Sequence, residues 1–269
     1  MRQRIRTATL HTSRFLKRFS LKVLLKVSGF TEGLFLEVSN RLWRLCLKQS
    51  SFVETRRTMS YRCVATSIGG FVQQLAVCYM RHGYWFYVTG TIPSQKDPSN
   101  IDQKLIQKYG IDLSKYTRSR KKRSGQASIQ YLRYERFFLL MATHGHHRFF
   151  EDEGKNFRDA RRYPIHFKGY SIGWRAGHPR VSIERSTYKD LKAYFLELAT
   201  HRKADRLADE LRALPFEPYA PVRSQLLCIL RAVNRARKKA GFKAVPSSCL
   251  RFKRHIYRPF EPYPVEERH

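Results

Sequence analysis

Short alternations of apolar and polar residues between residues 84 and 184 predict a series of β-strands. The segment 84–92 is rich in aromatic and β-branched residues and stops at Pro93. Residues 128–134 and 137–143 predict two strands joined near Glu135 and Arg136. Residues 165–184 predict a hairpin that turns at Ala176 and Gly177. The pattern therefore predicts about five strands.

Helical spacing dominates the last third of the chain. A first helix, opened by Ser186 or Thr187, places one set of apolar residues on one face, and these are Tyr188, Leu191, Phe195 and Leu198. A second carries Leu207, Leu211 and Leu214. A third runs from Pro221 in its first turn to Gly241 just past its end. An earlier helix, inserted after the first strand, is expected between Asn100 as N-cap and Gly110.

Strands first and helices afterwards indicate an α+β fold. We expect a mostly antiparallel sheet of about five strands packed by a C-terminal helical bundle. Residues 59–185 would form the sheet region, and residues 186–269 a basic helical region packed on it as one domain. Residues 1–58 predict a separate basic, amphipathic helical extension, with 13 Lys and Arg against 3 Asp and Glu. The alternative is that Met59 is the true start and the extension is not native.

Composition excludes several classes of protein. Hydrophobic residues make up 42% of the 269 residues, enough for a core, so general disorder is excluded. No apolar run approaches the ~20 residues of a membrane span, which argues against integral membrane association. The five cysteines form no CxxC pair, which excludes a zinc ribbon and argues against a disulfide scaffold. We expect a reducing, cytoplasmic location.

The charge points to a polyanionic partner. The chain has 53 Lys and Arg against 21 Asp and Glu, for a formal net charge of +32. So large an excess repels itself unless a polyanion offsets it, and nucleic acid is the commonest such partner. The leading hypothesis is a DNA- or RNA-binding protein of a bacterium or mobile element, which contacts the phosphate backbone through a basic loop and a basic helix. The alternative partner is an anionic membrane surface, contacted through residues 1–58.

Two basic segments are the candidate nucleic-acid contacts. The first is predicted to be an exposed loop between a helix and a strand, and its cations are Lys115, Arg118, Arg120, Lys121, Lys122 and Arg123. The second is the long helix near the C-terminus. Its apolar stripe is Leu226, Ile229, Val233 and Ala236. Its opposite side carries Arg231, Arg235, Lys238 and Lys239, and Arg237 is expected to extend this patch.

A histidine cluster suggests a second function. His144, His146 and His147 follow an apolar strand, and the acids Glu151, Asp152 and Glu153 come soon after. Imidazoles and carboxylates bind zinc, manganese and similar ions, so the cluster is a candidate site for a divalent metal cofactor. Such an ion beside a basic groove would suit a metal-dependent nuclease. The other interpretation is a polar loop whose histidines contact phosphate or water.

The segment His144-Gly145-His146 after a strand resembles in part the His-hydrophobic-His metal motif of HUH-type rolling-circle endonucleases. Gly145 stands where that family has a bulky hydrophobic residue. The resemblance implies that the histidines hold a metal and that a helical tyrosine, Tyr188 or Tyr194, attacks a DNA phosphate in a nicking reaction. The sequence contains no P-loop of a nucleotide hydrolase and no dinucleotide-binding, zinc-protease or α/β-hydrolase motif.

Overall fold

The structure, a computed structural model, describes residues 61–261. The predicted basic extension, residues 1–58, lies outside the described residues. In the described part of the chain, no helix is long and apolar enough to cross a membrane.

The first sheet has four antiparallel strands in the order β2-β3-β1-β4. Its strands are β1 (Tyr84–Thr91), β2 (Ile129–Tyr134), β3 (Phe137–Thr143) and β4 (Arg158–Asp159). Leu140 of β3 lies opposite both Val88 and Tyr131, so β3 is central. Strands β2 and β3 meet at Glu135, whose φ of 52° gives the left-handed turn that a two-residue hairpin requires. The predicted β2–β3 hairpin is confirmed.

The second sheet has three antiparallel strands in the order β5-β6-β7. They are β5 (Ile165–Phe167), β6 (Tyr170–Arg175) and β7 (His178–Ile183). The predicted turn at Ala176 and Gly177 is confirmed, with φ of 51° and 80°. The described residues thus hold seven strands in two sheets, not about five in one. Strands β4 and β5 have two and three residues, too few to produce a recognisable alternation.

The described residues also hold seven α-helices and several short helical turns. The α-helices are α1 (Ile68–Gln73), α2 (Pro98–Tyr109), α3 (Lys115–Arg123), α4 (Arg148–Glu153), α5 (Arg185–Leu198), α6 (Ala204–Arg212) and α7 (Ala220–Lys239). A π-helix, Gln74–Tyr79, and a 3-10 turn, Met80–His82, continue α1. Asp97, not Asn100, caps α2, because Pro98 favours the first helical position. Helix α5 begins at Arg185, ahead of the predicted Ser186 or Thr187.

The core forms two clusters, one on each face of the first sheet. Leu139 and Met141 of β3 join the larger cluster, and Leu140 and Ala142 join the smaller one. Alternate residues of a strand point to opposite faces of the sheet. Strand β3 is therefore rich in apolar residues because both of its faces are buried. The C-terminal helices belong to the larger cluster, where α7 contacts β7 and α5. The described residues therefore have the predicted α+β character with antiparallel sheets.

A buried ion pair fixes α2 on the first sheet. The Arg133 guanidinium donates to both carboxylate oxygens of Asp102 at 2.8 to 3.0 Å, and Tyr131 donates its hydroxyl hydrogen at 2.6 Å. Both charged side chains are almost fully buried, so removing either partner would leave an uncompensated charge. The Arg133 side chain therefore has a structural role.

Candidate nucleic-acid interface

The basic run 118–123 lies in helix α3, not in the predicted loop. Ser114 is the N-cap, and its Oγ accepts a hydrogen bond from the Thr117 N–H at 3.1 Å. Lys and Arg are good helix formers, and four of them in the last turn complement the helix dipole. No residue of α3 is buried, so the helix lacks the apolar periodicity by which helices are recognised in a sequence.

Helix α3 presents two polar faces. One face has the spacing i, i+3, i+4, i+7 and lines a cavity, and its members are Lys115, Arg118, Ser119 and Lys122. The other face carries Tyr116, Arg120 and Arg123, all of which are exposed. Tyr116 is 87% exposed, unusual for an aromatic side chain. We refer to the six cations of residues 115–123 as the α3 surface.

Helix α7 is amphipathic as predicted. Its buried side is formed by Val222, Leu226, Ile229, Leu230 and Val233. Its exposed side carries the four predicted cations, which we call the α7 surface: Arg231, Arg235, Lys238 and Lys239. Three basic residues in the last turn also complement the helix dipole.

Arg237 was predicted to extend the α7 surface, and this prediction is wrong. It is only 2% exposed. Its guanidinium donates to the carbonyls of Ala199, Arg202 and Lys243 at 2.6, 2.8 and 2.6 Å. Two of these carbonyls follow the end of α5, where helix carbonyls lack intrahelical partners. Arg237 therefore stabilises the helix packing.

The ten cations of the two surfaces share one electrostatic property. Within the described residues, none forms an ion pair with an acidic side chain. Other exposed arginines do, since Arg161 lies 2.7 Å from Asp159 and Arg212 lies 2.9 Å from Asp209. Other exposed cations of the described residues, such as Lys104 and Lys203, also lack an acidic partner, so what sets the α3 and α7 surfaces apart is that several such cations lie together on one helix.

The histidine loop does not assemble the predicted metal site. In the described part of the chain, no group of three or more His, Cys, Asp and Glu side chains is placed to hold a metal ion. His144 and His146 are exposed. The backbone of His146 bridges to the segment 125–127, where its N–H donates to Gly125 and its carbonyl accepts from Ala127, both at 3.0 Å.

His147 is the N-cap of α4. Its Nδ1 accepts a hydrogen bond from the Phe149 N–H at 3.0 Å, so this nitrogen is unprotonated. Burial and the nearby Lys121 lower the pKa of His147, and a hydrogen bond to the Tyr109 backbone partly offsets the shift. The imidazole therefore has a structural role in capping α4.

The acids expected to complete the metal shell are used elsewhere. Asp152 forms ion pairs with Lys108 at 3.0 Å and Arg148 at 3.3 Å, and the Lys108 contact lowers the pKa of the carboxyl. Glu153 accepts the Tyr109 hydroxyl at 2.7 Å. These contacts join α4 to α2.

Gly145 occupies its position for a steric reason. Its φ is +131°, a conformation that L side chains rarely adopt. A Cβ here would lie 2.5 Å from the Gly125 carbonyl oxygen and 2.6 Å from the Ala127 nitrogen. The close crossing of two backbone segments therefore explains why a glycine stands between His144 and His146.

The structure gives neither predicted tyrosine nucleophile a lowered pKa. Tyr188 is half-buried against the larger core cluster, and burial raises the pKa of its hydroxyl. Tyr194 is exposed, and its hydroxyl donates to Glu210 at 3.1 Å, which also raises its pKa. An activated nucleophile needs a lowered pKa or an adjacent base that takes its proton to a substrate. Of the two hydroxyls, that of Tyr194 has a carboxylate beside it and that of Tyr188 packs against the core, and the proposed nucleophilic role of both stays a prediction.

The neutral side of the α3 cavity consists of residues for which the sequence predicts no site. These residues come from the π-helix and from β2, and they are Gln74, Cys78, Tyr79 and Gln130. A π-helix has no recognised sequence signature, and Gly69 and Gly70 interrupt the pattern of the helix that leads into it. The spacing of Lys115, Arg118 and Lys122 was a usable signal, because it places three cations on one helical face.

No protein-family model matches the sequence, and no curated protein matches it significantly. The function of the protein is therefore inferred from the site itself.

Proposed function

We propose that the protein binds DNA or RNA through the phosphate backbone, using the α3 and α7 surfaces. The observation that carries the proposal is the set of ten cations on two helices without an acidic partner among the described residues. Like charges three or four residues apart destabilise a helix by a few tenths of a kcal/mol per pair. A bound polyanion removes that repulsion.

The chemistry of the cations fits phosphate. Arginine donates two parallel hydrogen bonds to a phosphate group, and lysine acts as a point charge. Each phosphate that they neutralise releases condensed counterions, which favours binding without any base contact. Phosphate contacts carry affinity but no sequence information. Binding through these two surfaces should therefore tolerate many sequences.

Binding can be measured by fluorescence anisotropy with short labelled strands of DNA and RNA, single and double. We expect log K to fall linearly with log salt between about 50 and 200 mM for the full-length protein. Strands of the same length with scrambled sequence should bind equally well. Lack of binding at about 50 mM salt, or binding that does not change with salt, would contradict the proposal.

Anionic vesicles separate this proposal from membrane-surface binding. We expect phosphatidylserine vesicles to compete weakly with a nucleic acid strand at equal phosphate concentration, because a strand can follow a helix surface. Vesicles that displace the strand completely at equal phosphate concentration would instead favour the membrane as partner.

A further inference from the structure

The cavity beside α3 has the size of a small-molecule site. Its volume is about 390 Å³, and it lies between α3, the π-helix and the start of β1. Sites for small ligands have volumes of roughly 300–1,000 Å³, so this cavity holds a single small unit and not a duplex.

One wall of the cavity is cationic. Lys115, Arg118 and Lys122 line it together with the hydroxyl of Ser119. Lys122 donates to the His82 carbonyl at 3.0 Å and lies 4.4 Å from the centre of the Tyr84 ring. The Arg118 guanidinium donates to the Leu113 carbonyl. Lysine has three N–H donors and arginine five, so both side chains retain donors for an anion.

The opposite wall is neutral. The π-helix contributes Gln74, Cys78 and Tyr79, and β2 contributes Gln130. Gln130 is 6% exposed, and its Oε1 accepts the Tyr61 hydroxyl at 2.9 Å. Its Nε2 lies 3.5 Å from the Tyr84 hydroxyl, at the outer limit of a hydrogen bond. A buried amide with a weakly used N–H is suited to recognise a polar ring edge. π-helices also occur frequently at functional sites.

The two walls together match a nucleotide. Phosphate suits the cationic wall, and a base suits a wall of amide, aromatic and thiol groups. A base within a duplex is stacked and paired and cannot enter a cavity. The neighbouring face of α3 carries exposed Tyr116, a platform on which an adjacent unstacked base can lie, with Arg120 one turn away.

We propose that this cavity holds one unstacked nucleotide of a bound single strand. This inference rests on the proposed function, because it specifies that the nucleic acid bound at the α3 surface is single-stranded. It predicts that the protein binds single strands in preference to duplexes.

Alkylation of Cys78 by iodoacetamide reports occupancy of the cavity. Cys78 is exposed and lines the cavity, whereas Cys228 is exposed on α7 and serves as an internal reference. Mass spectrometry of peptides gives each rate separately in the full-length protein at one pH. At about ten times its dissociation constant, UMP or AMP should slow labelling of Cys78 roughly tenfold, because only the free protein reacts. Cys228 should react at an unchanged rate.

Three further ligands sharpen the test. Inorganic phosphate at the same concentration should leave Cys78 reactive, and equal protection by phosphate would overturn the proposal in favour of a plain anion site. A single strand should protect Cys78 at saturation, and a duplex at matched saturation should not. Equal protection by the duplex would also overturn the proposal.

A cavity-filling variant tests the same point without a change in charge. Ser119→Trp should remove both the protection of Cys78 by a single strand and the preference for single strands. Ser99→Trp, at an exposed position on α2, is the matched control and should retain both. A Ser119→Trp protein that is folded by circular dichroism and keeps its single-strand preference would contradict the proposal.

The outcomes distinguish this inference from the proposed function. Strand binding by anisotropy with no protection of Cys78 would overturn the cavity assignment alone. Protection by UMP without binding of any strand would overturn the proposed function and with it the single-strand assignment.

Discussion

The two basic helices and the histidine loop both stand out in the sequence, but the structure uses them differently. In the loop and in α4, polar groups are satisfied internally: His147 caps α4, Asp152 pairs with Lys108, and Glu153 accepts from Tyr109. On the α3 and α7 surfaces, no cation pairs with an acid of the described residues. The fold therefore uses the polar groups of the histidine loop for its own contacts, whereas it gives the cations of the two surfaces no acidic partner among the described residues.

The largest expected effect on stability concerns α7, where Arg237 is buried and Arg235 is exposed. Arg237→Gln should lower the free energy of unfolding by about 3 kcal/mol, because buried carbonyls lose their donor. Arg235→Gln should change it by less than about 0.5 kcal/mol. For binding we expect the reverse: Arg235→Gln should reduce the salt slope of log K by about 1, and Arg237→Gln should not.

Urea unfolding and anisotropy on the two single variants check this pair. Equal losses of stability would mean that α7 presents a different face to the core. Equal reductions of the salt slope would show that Arg237 reaches the nucleic acid.

The next effect concerns the backbone crossing in the histidine loop. Gly145→Ala should destabilise the protein by about 2 kcal/mol, because a Cβ meets backbone atoms that cannot move cheaply. His144→Ala, one residue earlier and exposed, should cost less than about 0.5 kcal/mol. Thermal or urea unfolding measures both. A His144→Ala protein less stable than Gly145→Ala would show that the histidines, not the crossing, hold this loop.

A smaller effect is expected at the cap of α4. His147→Ala should cost about 1 kcal/mol at neutral pH, the usual contribution of an N-cap. The pKa of His147 is lowered in the folded protein, so the unfolded chain takes up the proton first as the pH falls. The His147 contribution is therefore present above the ordinary histidine pKa of about 6.5 and is lost below it.

His147→Asn isolates this pH dependence. Asparagine caps a helix but does not titrate in this range, so the variant should lose less stability than the wild type between about pH 7 and pH 5. Parallel stability curves for the two proteins over that interval would show that His147 is not held neutral in the fold.

The sequence predicted the elements with strong periodicity. The structure confirms the hairpin turns at Glu135 and Ala176 and the apolar side of α7. These elements are predictable because the period of their apolar residues follows which side chains are buried. Strands β4 and β5 were missed, since two or three residues carry no period. The sequence predicts a loop where the structure has α3, since a helix without a buried residue has no apolar stripe.

Prediction of the site was less complete for a physical reason. Charge density identified the α3 and α7 surfaces, but it could not separate buried Arg237 from exposed Arg235, because both are basic residues on one helix. The neutral wall of the cavity comes from segments far apart in the sequence, such as those of Cys78 and Gln130. Only tertiary packing brings them beside α3.

The central claim is that the cations of the α3 and α7 surfaces bind the phosphate backbone, whereas exposed arginines paired with an acid do not. Two triple variants with the same loss of charge test it directly. The first, Arg120→Gln, Lys121→Gln and Arg123→Gln, removes cations of the α3 surface. The second, Arg148→Gln, Arg161→Gln and Arg212→Gln, removes exposed arginines that lie 2.7 to 3.3 Å from Asp carboxylates.

The measurement is the slope of log K against log salt on a duplex for both variants and the wild type. The first variant should reduce the magnitude of the slope by about 3, at roughly 0.9 per lost phosphate contact. The second should leave the slope unchanged, although its net charge falls equally. Equal reductions in the two variants would show that binding follows net charge alone and would contradict the account.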